Sequence, residues 1–159
     1  MANSPGEAGK IVSINVSREK GVRKAPVGEA LLIAGRGFQG DAHAGDWHRQ
    51  VSLLAVESIA KMLVAGLDVG PGDFAENITT SGMDLVRLPV GTVLRVGNGI
   101  RLEVTQIGKV CHGGCSIFEL AGDCVMPREG IFARVLAGGT IKSGDLVAIE
   151  RPGMVGEHA

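Results

Sequence analysis

This chain of 159 residues reads as a mainly β single domain, rich in barrel-forming strands and carrying one or two helical insertions. Three observations carry that expectation. Short apolar runs of strand length recur along the chain, 25 glycines are scattered between them as turn punctuation, and one segment alone repeats its apolar residues at a convincing helical spacing. The length suits one domain with a core of its own. The expected division is a flexible segment over 1–9, the domain over 10–150 and a loose tail over 151–159, without internal repeats.

The elements follow in order. Val12, Ile14 and Val16 alternate with Ser13, Asn15 and Ser17, the period of a strand with one wet face. Pro26 and Gly28 punctuate before the strand-like run from Ala30 to Ile33. From Leu54 to Leu67, Ala55, Ile59, Met62 and Leu63 fall at helical spacing, and Gly66 is placed to stop the helix. Val93 to Val96, then Gly97-Asn98-Gly99, then Ile100 to Ile107 spell a hairpin, with Ile100, Leu102 and Val104 alternating against Arg101, Glu103 and Thr105. Gly144-Asp145 introduces a closing strand over Leu146 to Ile149.

Composition removes several functions. Sixteen basic against seventeen acidic residues leave a formal charge of −1, so the basic field that nucleic-acid binding requires is missing. Aromatic residues at 3% leave no stacking platform for single strands. No apolar run approaches the ~18 residues of a membrane helix, and residues 1–10 do not resemble a signal peptide. A cytoplasmic protein without nucleic-acid or membrane partners is expected. Three cysteines make a poor disulfide framework, and in a reducing compartment they serve as core filler, metal ligand or nucleophile. The Asn15-Val16-Ser17 and Asn77-Ile78-Thr79 triplets then match a glycosylation acceptor only by accident.

Four segments hold the chemistry. Gly35-x-Gly37-x-x-Gly40 matches the dinucleotide fingerprint in letters only, because Gly40 leads into another irregular stretch and not into a helix. Asp41 to Gln50 gathers His43, His48, Asp46, Trp47 and Arg49, a set that suits either a metal or anion site or a loop tied by its own hydrogen bonds. Cys111-His112-Gly113-Gly114-Cys115, with Cys124 beyond, holds every thiol. Its spacing departs from the common zinc knuckles and from the haem attachment motif, which leaves a reactive or metal-binding cysteine as the favoured reading. Arg128 and Arg134 follow, suited either to recognising a phosphate and lowering the pKa of a nearby thiol or to ordinary surface pairing with glutamate.

Taken in order, Gly40-Asp41-x-His43-x-Gly45, Arg49-Gln50-Val51-x-Leu53, Pro71-Gly72-Asp73-x-x-Glu76-Asn77-Ile78, Leu88-Pro89-Val90-Gly91, the Cys115 segment and Gly144-Asp145 resemble the MOSC domain, named for the C-terminal domain of molybdenum cofactor sulfurases. The likeness runs from about Lys10 to Glu150 and suggests a standalone, bacterial-type member. It implies a barrel-rich fold and one working cysteine, which either binds the molybdenum of a pterin cofactor or carries sulfur as a persulfide. Amidoxime-reducing relatives use the cofactor on N-hydroxylated small molecules, and such an enzyme needs an electron-donor protein. A carrier would instead meet a cysteine desulfurase, and any pyridoxal phosphate would belong to that partner. A structural zinc module is the third reading.

By the same resemblance, Asp41, His43, Arg49, Glu76 and Asn77 match family positions and are expected to line the cofactor cavity, with Arg128 or Arg134 on its phosphate. The family's thiol falls at Cys115, the expected metal ligand and catalytic residue. Three cysteines stand where simpler members have one, so Cys111 and Cys124 remain alternatives, Cys124 as a second catalytic candidate. Cys115 follows two glycines and opens a helix-like stretch, which favours an exposed thiol of lowered pKa. Cys111 sits at an expected strand end and Cys124 beside Asp123, both less suited to a thiolate.

Overall fold

A computed structural model describes residues 8–19, 22–64, 66, 68–108 and 129–153. Among these residues eleven strands form two sheets. The larger sheet contains β1 (Ala8–Val16), β2 (Ala25–Val27), β5 (Val51–Ala55), β6 (Ile78–Ser81), β7 (Val93–Val96), β8 (Ile100–Ile107), β9 (Ile131–Ala137) and β11 (Leu146–Arg151). Its order, β11-β7-β8-β9-β5-β6-β1-β2, closes on itself because β11 also pairs with β1, giving a seven-stranded barrel with β2 appended. Closure removes the free edges that an open sheet would present. The small sheet joins β10 (Gly139–Lys142), β3 (Glu29–Ile33) and β4 (Gly37–Phe38).

All barrel pairings are antiparallel except β5 with β6. Parallel neighbours need a crossover, and this one contains the α-helix α1 (Val56–Val64). The expected helix therefore exists but starts later than its periodicity suggests. Leu54 and Ala55 belong to β5, where burial on both faces imitates the start of a helical stripe. Ile59 and Met62 face the protein, whereas Leu63 is half exposed. Gly66, in the left-handed region, donates its N–H to the Leu63 carbonyl and ends the turn. A short 3₁₀ turn spans Leu85–Arg87.

The hairpin forms as expected, with Val93 opposite Glu103 and Val96 opposite Ile100 across Gly97-Asn98-Gly99. Leu146 opens the strand that closes the barrel. Gly40 leads into turns and not into a helix, in keeping with the rejection of a dinucleotide site. Ile14, Leu53, Ile78, Leu94, Leu102, Val104, Ile131 and Val147 belong to the main core. A second core, Leu54, Ile59, Met62, Phe74 and Phe132, lies between α1 and the sheet. No helix among the described residues is long and apolar enough to cross a membrane.

One expectation fails in β1. A bulge between Ile11 and Ser13 turns Val12 outward, and the supposed wet face, Ser13 and Asn15, is buried. Those polar residues form part of a hydrogen-bonded band that reaches the candidate site.

Candidate functional site

The loop from Asp41 to Gln50 has little regular structure of its own, so side chains must hold it. Asp41 anchors one end. Its Oδ1 accepts from Lys24 Nζ at 2.8 Å and from the Ser17 N–H at 2.9 Å, while Oδ2 accepts from the His43 N–H at 3.0 Å. Both side chains of the Lys24–Asp41 pair are fully buried. Burial alone would raise the Asp41 pKa, but the contact with His43, the Lys24 ammonium and the two backbone donors outweigh it, and the carboxyl is held well below the usual range. Gln50 fastens the other end, its Oε1 accepting from the Val135 N–H of β9 at 2.9 Å.

Between these anchors the aromatic and cationic groups are stacked. Trp47 donates its indole N–H to the His43 carbonyl at 2.7 Å, and the two rings lie parallel, 6.4 Å apart. The Arg49 guanidinium carbon is 4.7 Å from the Trp47 ring centre and 5.4 Å from that of Phe132. No carboxylate among the described residues pairs with Arg49, and its buried Nε has no hydrogen-bond partner. His43 Nδ1 is likewise buried and unbonded, 3.7 Å from Asp41 Oδ2. Buried donors without acceptors are uncommon in folded proteins and point to an absent ligand or water.

Glu76 and Asn77 occupy a different place. Neither has exposed surface. Glu76 accepts from the N–H groups of Gly72 and Phe74 and from the Thr79 hydroxyl; burial nevertheless pushes its carboxyl up from the ordinary value. Asn77 Oδ1 accepts from the Ser52 N–H at 3.0 Å, and its Nδ2 donates to the Asn15 carbonyl. Asn15 in turn donates to the Glu76 carbonyl and the Thr79 hydroxyl. The two residues expected to line a cavity wall therefore belong to an internal brace across β1, β5 and β6. That burial also leaves Asn15 and Asn77 inaccessible as glycosylation acceptors.

Arg134, on the outer side of β9, donates from Nε to Glu103 at 2.7 Å and is half exposed. With Asp46, Trp47, His48, Glu103 and Thr105 it borders a depression of about 470 Å³. Another, of about 630 Å³, lies by α1 and includes Ser58, Lys61 and Glu129; Glu129 accepts from both the Ser58 hydroxyl and the Lys61 ammonium. Cys111, Cys115, Cys124 and Arg128 lie outside the described residues. The described residues that flank this stretch are joined: Ile107 opposes Ile131, and the Gly108 N–H donates to the Gly130 carbonyl at 2.6 Å. Gly108 and Gly130 thus stand at the end of β8 and β9 close to Phe132, the ring under Arg49.

Residues 39–148 match the MOSC domain. The chain belongs to the MOSC domain family. The MOSC assignment covers both the Asp41 loop and the thiol-bearing connection. Solved structures agree at the level of fold. The YuaD protein of Bacillus subtilis is 19% identical with a TM-score of 0.75, over 88% of this chain and 94% of that one. YiiM of Geobacillus stearothermophilus is 23% identical (TM-score 0.67, 89% and 75%), and YiiM of Escherichia coli 17% (0.64, 89% and 69%). No curated protein matches.

MOSC domains are associated with the molybdenum cofactor. An anionic pterin phosphate suits the unbonded Arg49 Nε, whereas the Arg134 Nε is already paired with Glu103. A metal finds no cluster of three or more His, Cys, Asp or Glu among the described residues, and the soft thiolate donors all belong to the 109–128 stretch. Sequence reasoning passed over Lys24 and Gln106 as site residues, and took Trp47 and His48 no further than the candidate loop. Lys24, next to Arg23, carries the local signature of a surface cation, and Gln106 sits in a strand without any motif.

Proposed function

We propose that this MOSC domain binds a molybdenum–pterin cofactor and uses it for two-electron reduction of N-oxygenated small molecules. A thiolate of the Cys111–Cys124 stretch, Cys115 first, is the metal ligand. Arg49, with Arg128 and Arg134, holds the anionic end, and His43 borders it. Asp41, Glu76 and Asn77 act one step back by keeping the walls in place. When bound, the cofactor supplies the electron-transfer chemistry, and an electron-donor protein renews it. The reading places the chain in the cytoplasm, where the thiols stay reduced.

The observation that carries this reading is Arg49: a guanidinium with a buried, unbonded Nε, immobilised on two aromatic rings beside the base of the thiol-bearing connection. A fork of this kind, aligned before the ligand arrives, loses little entropy on binding a phosphate.

Arg49→Ala tests it. Charge-assisted hydrogen bonds contribute about 1.5–3 kcal/mol, so pterin affinity should fall on the order of 10- to 150-fold. The thermal midpoint of the cofactor-free protein should move little, since a guanidinium stacked on aromatic rings contributes about 1 kcal/mol. Pterin released as its fluorescent oxidation product reports occupancy. Unchanged occupancy in Arg49→Ala would move the phosphate contact elsewhere. Pterin-free protein that accepts sulfane sulfur from a pyridoxal-phosphate-dependent desulfurase would replace the reductase by the carrier, and stoichiometric zinc would replace both by a structural module.

A further inference from the structure

We infer that His48 is the proton-donating residue of this site and that Gln106 is the positioning residue which fixes its tautomer. The inference rests on the reductase reading and adds a named group to it.

The Gln106 amide bridges two groups. One end of that amide lies 2.7 Å from the Gly108 carbonyl, the other 2.8 Å from His48 Nε2. A carbonyl has no proton to give, so the amide nitrogen must face Gly108 and the amide oxygen must face His48. The amide oxygen is itself only an acceptor, so His48 Nε2 carries a proton in both the neutral and the charged ring. Proton exchange is thereby confined to Nδ1, which has no partner among the described residues. The rest of His48 is held as firmly. Its carbonyl accepts from the Thr105 hydroxyl, and its ring meets Trp47 edge-on at 6.0 Å.

The ring borders the 470 Å³ depression, a size that suits a small organic molecule. The charged groups around it are Asp46 and Arg49 on its own loop, Glu103 on β8 and Arg134 on β9, with His43 beyond Trp47. Glu103 and Arg134 satisfy each other. Asp46, also on the rim, has no cation partner among the described residues.

The chemistry needs such a group. Breaking the N–O bond of an N-hydroxylated compound takes two electrons, here from the reduced cofactor, and two protons. It leaves the N–H compound and water. His48 gives its Nδ1 proton to the departing oxygen, the second proton comes from solvent, and the exposed ring is then recharged from water.

Two measurements test the inference. Long-range proton–nitrogen correlation spectra of the cofactor-free protein should show neutral His48 as the Nε2–H form, and Gln106→Leu should convert it to a mixture. A wild-type Nδ1–H form would overturn the positioning role. In loaded protein reducing an N-hydroxylated amidine, His48→Gln should lower kcat/KM by about 10²-fold and abolish its dependence on the acid form, with pterin content unchanged. Wild-type activity and an unaltered pH profile in His48→Gln would overturn the proton role while leaving the reductase reading intact. Fully loaded wild-type protein that reduces no N-hydroxylated compound would overturn both.

Discussion

Asp41→Ala should cost about 3–5 kcal/mol at neutral pH, the usual range when one partner of a buried ion pair is removed. The loss has three parts. The Lys24 ammonium, which has no exposed surface, is left without its counter-charge, and the N–H groups of Ser17 and His43 lose their acceptor. Replacing both partners, as in Lys24→Met with Asp41→Leu, should restore part of that loss, because no buried charge then remains. The pH dependence has a definite sign. The folded-state pKa of Asp41 is depressed, so its contribution is complete above the ordinary aspartate value of 3.8 and disappears as pH falls through the folded value. Urea unfolding at pH 7 and pH 3 should therefore show a gap between wild type and Asp41→Ala that narrows in acid. A gap independent of pH would mean that packing, not charge, fastens the loop.

Gly72→Ala should be about as severe, at roughly 3 kcal/mol or more. Gly72 adopts φ +87°, which already costs an alanine about 1–2 kcal/mol. A Cβ there would also run into the carbonyl oxygen of Lys24, a backbone atom that no side-chain rotation can move. Any shift strains the Lys24 N–H bond to the Gly72 carbonyl and the Gly72 N–H bond to Glu76. Gly35→Ala is the control. Its φ of +72° carries a similar backbone cost, but the added carbon meets nothing within 4 Å. Denaturation midpoints for the two variants should differ clearly. Equal midpoints would show that the Lys24–Gly72 approach is not under constraint.

These two substitutions locate what the family motifs do in this chain. Gly40-Asp41 and Pro71-Gly72 through Asn77 lie far apart in sequence and meet through Lys24: its ammonium binds Asp41, and its backbone N–H binds Gly72. Their side chains and turns bear on the walls of the site. Arg49, by contrast, is held by stacking alone among the described residues and keeps donor capacity unused.

The parts of the fold legible in the sequence were those set by local pattern. The Gly97–Gly99 hairpin and the strand after Gly144-Asp145 follow from period-two alternation and turn chemistry, which act within a few residues. The parallel β5–β6 pairing did not show, since the 53–55 run is apolar on both faces and reads equally as helix. The buried polar band of Ser13, Asn15, Ser52 and Asn77 was also hidden. Alternation of polar with apolar residues signals a wet face unless partners from distant strands satisfy those groups, and such partners leave no local trace. The same reason concealed Gln106, whose importance appears only when β8 brings it against His48. Asp41, His43 and Arg49 were found as a group because one loop carries them all.

The most direct measurement is the metal content of the chain purified from cells with an intact cofactor pathway, alongside Cys115→Ser. The account predicts stoichiometric molybdenum with pterin in the wild type, and loss of the metal in the variant while the folded state persists. Stoichiometric zinc, or metal-free protein carrying sulfane sulfur on its thiols, would contradict it.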